Sequence, residues 1–298
     1  MEFIDTHQHL ILRGQLGYGW TEGKAALAGD FTVADYRRLT AGNGVIGTVF
    51  METGVDDDCY QHEARLVSRL VGQDGMLGQI ASCRPETEAG FDAWLAEADA
   101  LSVVGYRRIL HVVDDCISQT EVFRRNLRKI GAKGLPFDLC FFARQLPIAE
   151  ALVRACPDQV FVLDHCGNPD IAADGFDAWL VGLRAMAALP QVWLKFSGIS
   201  VNCAPGTASV ALLRPYAEAM LEVFGPKRMI WGGDWPVVDL AIGLPAWIDA
   251  SRALLSGLTG DEQAAIGHLN ARRVYGLAGQ GGFTPPKPPV GYFCQDEG

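Results

Sequence analysis

The chain has 298 residues, 49% of them hydrophobic, and its acidic and basic residues are mixed along the whole length to a formal net charge of −10. That is material for one large domain or two medium ones, and an α/β barrel of this size is commonly a single unit. No basic stripe marks a nucleic-acid binder, no apolar run is long enough for a bilayer, and His7 stands where a removable signal peptide would need apolar residues, so a cytoplasmic location is expected.

The first short apolar run, FIDTH (3–7), ends in His7 and is followed by His9. The next, VIGTVFME (45–52), ends in Glu52, and LGQIASC (77–83) runs into Arg84. VGYRRIL (104–110) holds Arg107 and stops before His111, while PFDLCFF (136–142) leads to Arg144. VFVLDH (160–165) closes on Asp164 and His165, VWLKFS (192–197) carries Lys195 and Ser197, and MIWGGD (229–234) ends in Asp234. These runs are too short for helices, and they are apolar in blocks rather than in alternation, as strands of a parallel sheet covered on both faces are.

Between them lie segments of helical period. Tyr60, Ala64, Val67 and Val71 share a face, as do Phe123, Leu127 and Ile130, and Leu213, Tyr216, Met220 and Phe224. Gly134-Leu135-Pro136, Cys156-Pro157, Leu189-Pro190 and Gly225-Pro226 stop helices before the next strand. Eight strand–helix units predict a (β/α)₈ TIM barrel over residues 1–278, with an open doubly wound sheet as the alternative. The Gly-rich fingerprint of the open sheet is missing after the first strand, where Thr6-His7-Gln8-His9 stands. Residues 279–298, rich in Gly and Pro without a period, read as an extended tail, an arm laid along the surface or against a neighbouring subunit of a homo-oligomer. The eight cysteines form no C-x-x-C pair, which argues against a disulfide scaffold or a structural zinc site. They read as buried hydrophobes, with Cys166 set apart only by its neighbour His165.

In a parallel barrel the C-terminal strand ends converge on one face, where active sites lie. Here every strand delivers an ionisable group to that rim, while the opposite ends carry mostly Val, Leu, Met and Pro. Buried charges are costly unless they are paired or bind something. Positions i and i+2 of a strand point the same way, so His7 and His9 can approach one ion together. With His165 and Asp234 they form a set suited to Zn²⁺, Mn²⁺ or Fe²⁺, with an open position for water. Asp234 sits in Trp231-Gly232-Gly233-Asp234-Trp235-Pro236, where small residues permit close backbone approach; capping of the next helix is its alternative role. Asp164 reads as a partner of the ligands or a structural acid, and His62 and His268 read as helix-surface residues. Arg84, Arg107, Arg144 and Lys195, together with Glu52, His111 and Trp235, read as contacts to a polar, anionic or polyhydroxylated small molecule. Pairing of the cations with Glu52, Asp138 and Asp164 in a structural network is the alternative.

At these residues the sequence resembles the amidohydrolase superfamily, in the branch of TIM-barrel lactone hydrolases that act on sugar-acid lactones and on 2-pyrone-4,6-dicarboxylate. The matching stretches are IDTHQHL (4–10), GYRRIL (105–110), LPFDL (135–139), LDHCGNPDI (163–171), WLKFSG (193–198), FGPKRMIWGGDWP (224–236) and NARRVYGL (270–277), in order along nearly the whole chain. The resemblance implies that His7, His9, His165 and Asp234 form the catalytic set and that Arg107 and Lys195 help to hold the substrate. Two positions depart from the pattern: Gly233, where a serine is common, and Ile11, where a tryptophan is common. They are expected to change the hydrogen bonding behind Asp234 and the pocket wall. Members with and without a metal occur, so the cation stays open, with zinc first among the candidates.

The expected reaction is the opening of a lactone by water, within carbohydrate catabolism. Asp234 takes the proton of the attacking water and returns it to the departing ring alkoxide. His7, His9 and His165 stabilise the oxyanion, through a divalent metal or directly as donors. Arg84 and Arg144 would grip a carboxylate on the lactone. The alternative on the same barrel is another amidohydrolase-type hydrolysis or a non-oxidative decarboxylation, which a histidine at the end of the fifth strand would favour; Asp138-Leu139-Cys140-Phe141-Phe142 stands there. A non-catalytic sugar-acid or metal binder is the third reading.

Overall fold

Burial on both faces is what the eight apolar runs require, and each becomes a strand of one sheet in the computed structural model, which describes residues 1–277. The strands are β1 (Phe3–Gln8), β2 (Val45–Met51), β3 (Met76–Ser82), β4 (Val103–Ile109), β5 (Phe137–Cys140), β6 (Phe161–Leu163), β7 (Val192–Phe196) and β8 (Met229–Trp231). They lie in sequence order, each parallel to the next. After them in turn come α1 (Val33–Thr40), α2 (Tyr60–Val67), α3 (Phe91–Ala98), α4 (Glu121–Ala132), α5 (Leu146–Ala155), α6 (Phe176–Ala187), α7 (Val210–Val223) and α8 (Leu244–Leu254). The ring closes where β1 meets the segment after β8: the Asp234 N–H donates to His7 O and the His9 N–H to Trp235 O, both at 2.8 Å. The protein is a (β/α)₈ barrel, and the open sheet falls away.

Local chemistry sets the helix starts. Thr32, Thr120 and Ser209 accept the backbone N–H of Asp35, Phe123 and Leu212, capping α1, α4 and α7. The predicted apolar faces turn inward: Phe123, Leu127 and Ile130 of α4 and Leu213, Tyr216 and Met220 of α7 are buried. Tyr60 and Val71, at the ends of their stripe, are half-buried.

Inside the barrel, Ile4, Val49, Ile80, Val162 and Ile230 pack with Tyr275 and Leu277 from the last described residues. The short helices α9 (Gly260–Ala264) and α10 (Asn270–Val274) precede them. Asn270 Nδ2 donates to Pro226 O and Met229 O at 2.8 Å, so α10 covers the N-terminal ends of the strands. The C-terminal ends are left to the loops. No helix among the described residues is long and apolar enough to cross a membrane. The predicted tail, with Cys294, lies outside the described residues.

Candidate active site

Strict alternation along β1 would turn His7 outward with Asp5, whose carboxylate meets Tyr36 of α1. A register shift between Asp5 and Gln8 breaks the alternation. His7 and His9 then both face the mouth, their rings 4.9 Å apart. Asp5 stays behind and accepts from His7 N at 2.8 Å, Gly233 N at 2.7 Å and Tyr36 Oη at 2.6 Å. It thereby ties the first strand to the turn after the last. A side chain at position 233 would place its Cβ 2.3 Å from Asp5 Oδ2, so the departure to glycine and the buried carboxylate belong together.

β6 ends in a left-handed turn in which His165, Cys166, Gly167 and Asn168 all have positive φ. Such a conformation costs non-glycine residues about 1–2 kcal/mol each and is held by its surroundings. Trp179 Nε1 donates to Cys166 O at 2.7 Å, and Asn168 Nδ2 to Phe141 O at 2.8 Å. His165 is thereby swung over the barrel, its Nδ1 3.2 Å from Ser197 Oγ and 3.9 Å from Asp234 Oδ2. Gly198 makes room, since a Cβ there would stand 2.3 Å from His165 Nδ1 and 2.9 Å from Asp234 Oδ2. Cys166 itself is buried, its Sγ 3.6 Å from the carbonyls of Lys195 and Ser197, and burial pushes its thiol up. That is a structural cysteine.

The tautomers follow from the partners. His9 Nδ1 lies 3.0 Å from Met51 O, which only accepts, so Nδ1 holds a proton and, in the neutral ring, Nε2 carries a lone pair. His7 Nε2 lies 3.1 Å from Arg107 Nη1, which only donates, so that nitrogen also carries a lone pair, with Nδ1 3.6 Å from Asp164 Oδ1. Both nitrogens also lie near Asp234 Oδ1, at 3.5 Å from His9 and 3.7 Å from His7. Burial lowers His7 far below the usual imidazole value and lowers His165 too, so both are neutral near pH 7. Three acceptors of one buried site, all within 4.8 Å of one another, can serve as cation ligands. His165 falls instead into a second such group with His7 and Asp164, so the four expected ligands do not form one set.

Beneath this rim lies a paired layer. Lys195 Nζ hydrogen-bonds Asp138 and lies 3.0 Å from Asp164 Oδ1, and Tyr275 Oη donates to Asp138 at 2.9 Å. Arg107 donates to Glu52 Oε1 at 2.8 Å and to Asp164 Oδ2 at 3.3 Å. Burial pushes the Asp164 and Glu52 carboxyls up, but their cations outweigh it, and both end below the usual carboxylate range.

A cavity of about 390 Å³ opens above His9, His165 and Asp234. Glu52, Arg84, Arg107 and His111 also line it. Burial holds His111 down to about 4. Three residues read as substrate contacts do not line it. Lys195 is wholly buried in the paired layer. Trp235 packs edge-on against Phe31 and Tyr36. Arg144 is 63% exposed and bound to Asp115, because the chain turns away after β5. Ile11 packs with Leu16, Tyr18 and Leu27, so it forms no part of the wall; Trp20 stands there instead. Trp20 has no periodicity around it to reveal it. Asp5, by contrast, was visible as a charge inside the first apolar run. His62 is exposed, and His268 is half-buried in the π-turn before α10.

The fold and these stretches have relatives. An L-fucono-1,5-lactonase of Burkholderia ambifaria is 30% identical over 240 residues, covering 80% of this chain and 81% of its own. An amidohydrolase of Burkholderia multivorans, solved with bound zinc, superimposes with a TM-score of 0.84 at 24% identity, over 93% of this chain and 100% of the other. A probable 2-pyrone-4,6-dicarboxylic acid hydrolase of Acinetobacter baumannii, solved with citric acid, gives 0.75 at 20% identity over 93% and 100%. With residues 4–277 matching the amidohydrolase family, the chain belongs to that family of hydrolases.

Proposed function

We propose that the protein is a lactonase that opens a cyclic ester by attack of water at the His9–His165–Asp234 rim. The observation that carries this reading is the trio of facing acceptors, His7 Nε2, His9 Nε2 and Asp234 Oδ1. Lone pairs directed at one another inside a protein call for a cation, and two imidazoles with a carboxylate are the donor set of a divalent ion, zinc first. Arg107 Nη1, 3.1 Å from His7 Nε2, would compete with an ion for that nitrogen. When bound, the ion would lower the pKa of water and polarise the ester carbonyl.

The chain's own groups do the rest. Asp234 Oδ2, on the side of His165, accepts the proton of the attacking water. With Ser197 Oγ as the donor to His165 Nδ1, 3.2 Å away, the other ring nitrogen would keep its proton and offer it to the developing oxyanion. His9 cannot act as such a donor while Nδ1 is held by Met51, so its part is that of a ligand. Asp234 then returns its proton to the ring alkoxide as the C–O bond breaks. Glu52 and Asp164 fix Arg107 under the rim, where its Nη1 holds the His7 ring in place. The reading is supported by the relative named L-fucono-1,5-lactonase.

The test is metal content after gentle purification, with lactone turnover followed by acid release before chelation, after it, and after add-back. Loss and recovery with zinc is the expected outcome. Full turnover by metal-free protein would sink the cation, and no turnover of any lactone would sink the reading.

A further inference from the structure

The cavity carries three arginines, and where their donors go decides what else it can hold. Arg84 gives Nε to Asp57 Oδ1 at 2.8 Å and Nη1 to Ser82 Oγ at 2.7 Å and Cys83 O at 2.9 Å. Its Nη2 lies 2.7 Å from the same Asp57 oxygen, and its plane sits 4.4 Å from the centroid of Tyr60. Arg107 spends Nε on Glu52 Oε1, Nη2 on Glu52 O, and Nη1 on His7 and Asp164. Arg108 holds Glu86 Oε1 through Nε at 2.9 Å and Nη2 at 2.8 Å. Each guanidinium is thus charge-paired within the protein.

The three arginines also share the cavity wall with three carboxylates, Glu52, Asp57 and Asp234. No surplus positive field is left for an anion. Arg108 Nη1 has only Asp57 near it, at 4.0 Å, but a substrate carboxylate reaching any of these groups would meet a cation whose charge a carboxylate already offsets, an exchange with little net return.

Thr53 and Ser82 add two hydroxyls, already bonded to Leu10 O and Arg84, and most of the remaining wall is apolar, built by Trp20, Val55, Ile109, Val112, Val113 and Val237. These come from four separate stretches, the loops after β1, β2 and β8 and the end of β4 with its loop, so no single amphipathic element explains their convergence. Gly54, at φ +68°, lets them meet: a Cβ there would stand 3.0 Å from Ile109 Cδ1 and 3.6 Å from Trp20 Nε1. Val112 is 68% exposed, an apolar side chain left in water at the mouth of a cavity. Concave sites with apolar walls and a few polar groups at one end take ligands built the same way. Sugar hydroxyls laid on this wall would lose water without gaining partners.

We infer that the site takes a neutral lactone with an apolar substituent, the ester ring at His9, His165 and Asp234 and the substituent against Trp20, Ile109 and Val112. The inference rests on the lactonase reading and names the substrate class of that same site. It reverses the carboxylated or polyhydroxylated substrate that the number of cations at the rim led one to expect.

The experiment compares kcat/KM of the protein as isolated, metal retained, on lactones of one ring size: alkyl-substituted, unsubstituted, polyhydroxylated and carboxylated. The alkyl lactone should lead the polyhydroxylated and carboxylated ones by about tenfold or more, the worth of a methylene or two in an apolar pocket. Ile109→Ala combined with Val112→Ala should lower the alkyl-to-unsubstituted ratio by about tenfold. A carboxylated or polyhydroxylated lactone turning over fastest, or a ratio unmoved by the double substitution, overturns the inference. Calorimetric binding of the corresponding lactams separates the two readings. If no lactone is opened while the alkyl lactam still binds more tightly than the other two substituted lactams, the hydrolytic reading fails and the cavity preference stands. If the alkyl lactam binds more weakly than either, or not at all, the inference fails whatever the rates.

Discussion

Two groups of ionisable side chains sit one above the other in the barrel, and they are paired in opposite ways. In the lower group, Lys195 meets Asp138 and Asp164, and Arg107 meets Glu52 and Asp164, so every formal charge has an opposite beside it. In the upper group, ring nitrogens of His7 and His9 lie near a carboxylate oxygen. Buried polar groups are ordinarily satisfied by the protein itself. The lower group obeys that rule and holds the strands in place, whereas in the upper group only His7 Nε2 has an internal donor, from Arg107, and His9 Nε2 faces Asp234 where a reacting molecule would enter. Charge alone does not mark a site; acceptors that face one another do.

The contrast can be broken most directly at Asp234. Asp234→Asn should lower lactone turnover by about 10³-fold, the scale of a lost general base, with Tm moving by only a few degrees. Comparable losses of turnover and stability would move Asp234 into the lower group. Lys195→Met should do the reverse, since it leaves Asp138 without a cation and Asp164 with Arg107 alone: about 3–5 kcal/mol of stability lost in urea unfolding. A loss under about 1 kcal/mol, the worth of an exposed pair, would mean that the layer is wetter than its burial indicates. Chelation should lower Tm if the upper group binds an ion, the stability lost being about 3 kcal/mol when the ion is present at a hundred times its Kd. His9→Asn should remove that sensitivity to chelator.

A subtler probe is Glu63, buried behind Thr53, whose N–H it accepts at 3.0 Å. Burial, and after it the charge of Glu52, pushes its carboxyl up to about 8. A folded pKa above the unfolded value of 4.5 gives stability that is full below about pH 4.5 and lost as pH rises through about 8. Glu63→Gln keeps an acceptor for Thr53 and cannot ionise, so its Tm should match the parent at pH 5 and exceed it by several degrees at pH 9. Equal melting curves at pH 9 would show that Glu63 ionises without penalty. The smallest effect belongs to Arg144, exposed on Asp115. Arg144→Ala should change stability by less than about 0.5 kcal/mol and leave kcat/KM as it was; a tenfold drop would return it to the cavity.

The barrel was legible because block hydrophobicity and breaker spacing are local properties, and all eight predicted runs are strands. The rim was legible for the same reason, as strand ends can be counted. Partnership was legible only in part: Glu52, Asp138 and Asp164 were offered as partners for the cations, and they take Arg107 and Lys195. Nothing near Arg84 in the sequence says that Asp57, from the preceding loop, will take its charge, or that Arg144 will turn to Asp115. Charge signs read along a chain overstate what is available in space. What turns His7 to the mouth was likewise hidden, because a register shift is a property of two strands and not of one. Loops hide most: Trp20, Val112 and Val237 lie in irregular segments where no period betrays a shared wall.

Asp5 fastens the first strand to the turn after the eighth, holding the N–H groups of residues 7 and 233 with one carboxylate. The two halves of the acceptor trio are therefore more than two hundred residues apart in the chain and meet only at this clasp. During synthesis the histidines leave the ribosome long before Asp234 does. A truncated or still-growing chain would carry the paired imidazoles without the carboxylate and without the closure that aims them. Competence to hold a cation is thus a property of the finished ring, and a chain lacking its last strand should fail to acquire one however well its earlier helices have formed.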